Sequence, residues 1–138
     1  MKFLKICLTG ILVVTACVIL MLGQTACIDQ SKVVTIGCKN FTEQYILGEL
    51  MAVMLEKNSD MAVNRRWNLG GTMICHQALI NGEIDIYPEY TGTAYMNILD
   101  YTDVDSATAT YETVNKEYQE KFDCEWLGPF GFNNTYAM

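Results

Sequence analysis

Between residues 33 and 93 the apolar pattern switches repeatedly between the period of a strand and that of a helix, and few architectures accept that alternation. Residues 33–37, VVTIG, form a β-branched run closed by glycine and read as a buried strand. Beyond them Ile46, Leu47, Leu50, Met51, Met54 and Leu55 recur at three- and four-residue spacing, which makes one apolar helical face. Asn40 or Thr42 can cap that helix, and Glu43 puts an acid in its first turn. Residues 61–67 read as a second strand, 69–72 (LGGT) as a turn, and 73–80 as a short helix stopped by Asn81-Gly82. Residues 84–87 then read as a third strand, ended by Pro88 because proline cannot donate to a ladder. Strands separated by helices pair in parallel through right-handed crossovers, so the expected fold class is α/β, three layers around a mainly parallel sheet. In such sheets ligands lie beyond the carboxyl ends of the strands, where the loops 38–42, 69–72 and 88–93 converge.

The remainder extends this plan. Residues 91–99 read as a helix and 100–105 as an acidic connector. Residues 106–122 read as a longer polar helix with Val114, Tyr118 and Phe122 at four-residue spacing, followed by a brief strand over 124–127. Ahead of the alternation, MKFLK carries two lysines and residues 6–22 are almost wholly apolar, the layout of an export signal. Gln24-Thr25-Ala26-Cys27 places small residues before a cysteine, as bacterial lipoprotein signals do, and Val14-Thr15-Ala16-Cys17 is the alternative. The expected organisation is a lipoprotein signal over 1–27, a linker over 28–32 and one α/β lobe over 33–138. Diacylglycerol on Cys27, or else on Cys17, would then hold the protein at the outer face of the membrane.

Without Lys2 and Lys5, seven basic residues face 16 acidic ones, a formal charge of −9 for the part after the signal. An acidic surface repels phosphates and attracts cations, which argues against a nucleic-acid partner. Beyond the signal stand Cys38, Cys75 and Cys124, an odd number without CxxC spacing, so the expectation is free thiols and neither a disulfide framework nor a metal site. His76 is the single histidine, and it adjoins Cys75 in a helix, where neighbouring side chains do not face each other as nucleophile and base must. Glu83, Asp85 and Glu89 alternate along and after the third strand with no positioned base nearby and read as surface or capping charges. The chain is therefore not expected to be an enzyme, and no cofactor is expected.

The densest chemical signal is YPEYTGTAY over residues 87–95, three tyrosines and a glycine turn at one strand end. Tyrosines there either pack in the core with their hydroxyls at the rim or offer ring faces to a cation. A quaternary ammonium has no proton to donate, so only dispersion and the negative faces of aromatic rings recognise it.

KNFTEQ from Lys39, ILGE from Ile46, LGGT from Leu69, GEIDIYPEYTGT from Gly82 and GFNNTYA from Gly131 together resemble the glycine betaine/carnitine/choline-binding proteins of ABC importers. The resemblance runs from about residue 33 to residue 138. It implies one lobe of a type II periplasmic-binding-protein fold, whose cleft encloses a trimethylammonium head in a tyrosine cage. Carried onto the matching motifs, it makes Tyr90 and Tyr136 cage members and Thr93 a polar contact. Lys39, where some relatives place a Gln, would pair with the carboxylate of betaine or carnitine, and Asn40 with the start of the following helix would add donors. The alternatives are a solvated loop lysine and a helix cap. The partners implied are a quaternary ammonium osmoprotectant such as glycine betaine, carnitine, choline or proline betaine, the permease and ATPase subunits of the importer, and a membrane reached through the lipid. Relatives continue into a second lobe, so the chain is expected to be the amino-terminal part of such a protein. The alternative is a lipid-anchored interaction module that binds no small ligand.

Overall fold

A computed structural model describes residues 32–103 and 106–133. Strand β1 spans Val33–Gly37 and runs parallel to β2, Ala62–Arg66, in a register that pairs Val33 with Ala62 and Gly37 with Arg66. Helix α1, Thr42–Asn58, makes the crossover between them. Helices α2, Thr72–Ile80, α3, Thr91–Asn97, and α4, Ala107–Phe122, complete the order β1-α1-β2-α2-α3-α4. This is the α/β plan with parallel strands that the alternating periods predict.

The third expected strand is reduced to a bridge between Ile36 and Ile86. Its segment still lies along β1, with the Gly37 amide donating to the Ile86 carbonyl at 2.9 Å and the Asp85 amide to the Thr35 carbonyl at 2.8 Å. The ladder stops because the Thr35 amide donates instead to the Asp85 carboxylate at 2.6 Å, while Pro88 offers no donor two residues beyond the bridge. Gly37 is set by close approach, since a Cβ there would come within 2.6 Å of the Ile84 side chain.

Helix α1 forms where periodicity places it but buries a different stripe. Gln44, Leu47, Gly48 and Ala52 face inward, whereas Ile46, Leu50 and Met54 are exposed. Gly48 explains the rotation: Trp67 lies so close that a Cβ on residue 48 would meet its ring at 2.8 Å. Neither Asn40 nor Thr42 caps the helix; Phe41 takes the cap position without a side-chain bond, and the Asn40 amide is held by the Gly70 carbonyl at 3.1 Å.

Around α3 and α4 the core consists of Ala94, Tyr95, Val114 and Tyr118, with Ile98, Leu99, Phe122, Cys124 and Trp126 packed against it. Val114 and Tyr118 are buried as their spacing predicts. Residues 124–127 do not form the expected strand. Side chains of α4 engage the middle of the segment instead: Asn115 accepts from the Trp126 amide at 3.2 Å, and the Tyr111 hydroxyl donates to the Trp126 carbonyl at 3.3 Å.

Candidate functional site

The carboxyl end of β1 and the loop after the Ile36–Ile86 bridge bring two sequence blocks together. Lys39 lies two residues beyond the end of β1, and Glu89 and Tyr90 lead into α3. The Lys39 ammonium and the Glu89 carboxylate form an ion pair whose side chains are each 4% exposed. Glu89 Oε1 also accepts from the Tyr90 amide at 2.7 Å. Burying opposite charges is tolerated when they are paired and hydrogen-bonded, and here both contacts are made through Glu89 Oε1. Glu89 is therefore a structural charge of the interior rather than the surface or capping charge that its sequence context suggests.

Tyr90 is held from several directions. Its hydroxyl donates to Glu43 Oε1 at 3.0 Å, its ring stacks on Phe41 with centroids 6.3 Å apart, and Lys39 Nζ lies 5.0 Å from its centroid. Thr93 lies three residues on in α3, in the same broad open depression as Tyr90, Lys39, Phe41 and Glu43. Asn40 is exposed beside it, tied through its backbone to the loop at Gly70. Tyr136 lies outside the described residues, as do Cys17 and Cys27. The fold thus joins Lys39, Tyr90 and Thr93 from blocks 50 residues apart. Phe41, Glu43 and Glu89 are additions that sequence reading missed, although Phe41 and Glu43 belong to the KNFTEQ block and Glu89 to YPEYTGT.

Behind this rim is a second polar layer. The Lys39 amide donates to Gln44 Oε1 at 3.4 Å, while Gln44 Nε2, Glu89 Oε2 and the hydroxyls of Tyr87 and Tyr118 are buried without a well-formed hydrogen bond. Burial foremost, with the Glu89 charge next, pushes the Tyr87 and Tyr118 phenols far above their usual range. Burial likewise pushes the Cys75 thiol up to about 11, with the Lys39 charge opposing. Cys38 and Cys75 are buried free thiols, and Cys124 is a half-buried one. His76 packs its ring edge-on against Phe122 at 4.6 Å and Tyr118 at 5.5 Å, and burial lowers its pKa. Among the described residues no cluster of three metal-ligating side chains occurs, and no helix is long and apolar enough to cross a membrane.

A parallel α/β lobe with charged and aromatic side chains gathered beyond its strand ends has the layout in which such folds place a ligand site. The structure of apo YehZ from Escherichia coli superposes with a TM-score of 0.68 at 36% identity, covering 74% of this chain and 37% of that one. A glycine betaine/carnitine/choline ABC transporter structure shares the fold at a TM-score of 0.66 and 24% identity, over 75% of this chain and 39% of that one. Residues 32–138 match the OpuAC family, the substrate binding domain of the ABC-type glycine betaine transport system, and the chain belongs to that family. It is 41% identical over 110 residues to the ergothioneine transport permease/ergothioneine binding protein EgtU of Helicobacter pylori, covering 79% of this chain and 19% of that protein. Identity to the carnitine transport binding protein OpuCC of Listeria monocytogenes is 30%, over 99% of this chain and 43% of the relative. The glycine betaine-binding protein YehZ of Escherichia coli is 36% identical, over 76% of this chain and 35% of the relative. The chain thus spans less than half the length of each of these relatives.

Proposed function

We propose that this chain forms one wall of the ligand cleft in the extracytoplasmic binding component of an ABC importer, and that its ligand joins a quaternary ammonium to a carboxylate. The observation that carries the reading is the Tyr90 ring beyond the end of β1, pinned through its hydroxyl to Glu43 Oε1 at 3.0 Å and stacked on Phe41. The negative face of an aromatic ring attracts a trimethylammonium head, and dispersion with its methyl groups adds to it. Tyr90 and Tyr136 serve as cage aromatics, Thr93 as a polar contact, and Asn40 with the first turn of α1 as donors. Lys39 stays paired with Glu89 and offers its remaining N–H donors to the ligand's carboxylate.

Glycine betaine and carnitine fit this chemistry, and so does ergothioneine, named for one of the relatives. Choline and proline betaine are the controls for the carboxylate and for bulk. The permease and ATPase subunits of the importer are the partners. Diacylglycerol on Cys27, with Cys17 as the alternative, tethers the chain to the outer face of the membrane. Palmitate labelling abolished by Cys27→Ser and retained by Cys17→Ser is the expected result for the anchor.

Calorimetric titration of the chain with this panel tests the ligand reading. Saturable binding of a zwitterion, tighter than binding of choline, is expected. Heat from none of the five ligands would contradict it and favour an interaction module instead.

A further inference from the structure

The geometry points to Glu43 as a positioning and specificity-determining residue, one that tunes the Tyr90 ring for cations. This rests on the reading of Tyr90 as a ligand-facing aromatic. Glu43 stands in the first turn of α1, and its Oε1 accepts from the Tyr90 hydroxyl at 3.0 Å across 47 residues of sequence. A phenol that donates to a carboxylate makes a charge-assisted hydrogen bond. Electron density is thereby pushed from oxygen into the ring, and the negative ring face that attracts a cation is strengthened. The same bond pins the far end of a side chain whose backbone amide is already held by Glu89 and whose ring packs on Phe41. Ligand binding then loses less side-chain freedom.

A plainer role is available, because an acid in the first turn of a helix favours the helix by itself. The two roles separate by ligand. Glycine betaine and 3,3-dimethylbutanoate share shape and carboxylate, but the second has a neutral carbon where betaine has its charged nitrogen. The ratio of their affinities isolates what the site gives to the cation. The full chain and its Glu43→Gln, Tyr90→Phe and doubly substituted variants are titrated with both compounds.

For Glu43→Gln the betaine preference is expected to drop by about three- to tenfold, the scale of one partly desolvated cation–π contact. Affinity for the neutral analogue should hold to within about twofold, and in the Tyr90→Phe background the substitution should no longer move the ratio, the signature of coupling through that pair. Equal losses for both compounds would reduce Glu43 to a helix-stabilising acid and overturn the inference. A loss that persists in Tyr90→Phe would assign the effect to direct attraction between Glu43 and the ligand, which also overturns it. Should the unsubstituted chain show no preference for betaine, the ligand reading itself falls and the role of Glu43 with it. A preference that survives Glu43→Gln sinks only the present inference.

Discussion

Glu89 keeps a carboxylate inside the protein by meeting two donors with one oxygen, the Lys39 ammonium and the Tyr90 amide. Removing one partner of such a pair strands the other charge in the interior, which costs about 3–5 kcal/mol. Glu89→Gln is accordingly expected to lower the urea unfolding midpoint by an amount corresponding to that loss. Lys39→Met combined with Glu89→Gln should recover part of it, because no buried charge is then left unpaired. A loss below about 1 kcal/mol for Glu89→Gln would show that the pair is hydrated, as exposed ion pairs are. At this scale the sequence was only partly legible. Tyr90 and Thr93 stand out in their motif, but a glutamate between a proline and a tyrosine looks like any surface acid. Its burial depends on a lysine 50 positions earlier. Lys39 was legible as a charge in the loop after β1, and its partner was not.

Among the elements, α4 shows how a local rule and a tertiary demand coincide. Ser106 caps it, accepting from the Ala109 amide at 3.2 Å, and Val114 and Tyr118 follow at helical spacing into the core. Ser106→Ala should cost about 1 kcal/mol of stability through loss of that cap, read as a lower thermal midpoint with unchanged helical content by circular dichroism. No change in the midpoint would mean that solvent satisfies the first turn equally well. Helix α1 shows the reverse case. Its existence followed from the spacing of Ile46, Leu50 and Met54, yet those side chains are exposed and the inward stripe runs through Gln44, Gly48 and Ala52. Periodicity reports that a helix forms; which stripe is buried depends on the neighbour, here Trp67 against Gly48. Residues 124–127 have strand-like composition and no strand, because side chains of α4 reach their amides and carbonyls first.

Across the whole molecule, His76 joins α2 to the core of α4 by edge contacts to Tyr118 and Phe122. Burial lowers its pKa in the folded state. As pH falls below the ordinary histidine value of about 6.5, the unfolded chain therefore takes up a proton that the folded chain still refuses, and stability drops. Above that value both states are neutral at this position and the contribution vanishes. Thermal melts between neutral pH and pH 5 should show a fall in midpoint that His76→Leu reduces, and an equal fall in both proteins would assign it to the carboxylates. The parallel order of the strands and the convergence of loops beyond their carboxyl ends were legible from the alternation of periods alone. What holds the groove's chemistry in place was not, because Lys39–Glu89 and Glu43–Tyr90 are pairings made by the fold.

The central claim is that the face of Tyr90 receives a trimethylammonium group. Nuclear Overhauser contacts between the methyl protons of glycine betaine and the ring protons of Tyr90, in a chain with labelled tyrosines, measure it most directly. The account predicts a contact at ligand saturation that disappears in Tyr90→Ala. Saturable binding of betaine with no contact to the Tyr90 ring would contradict it.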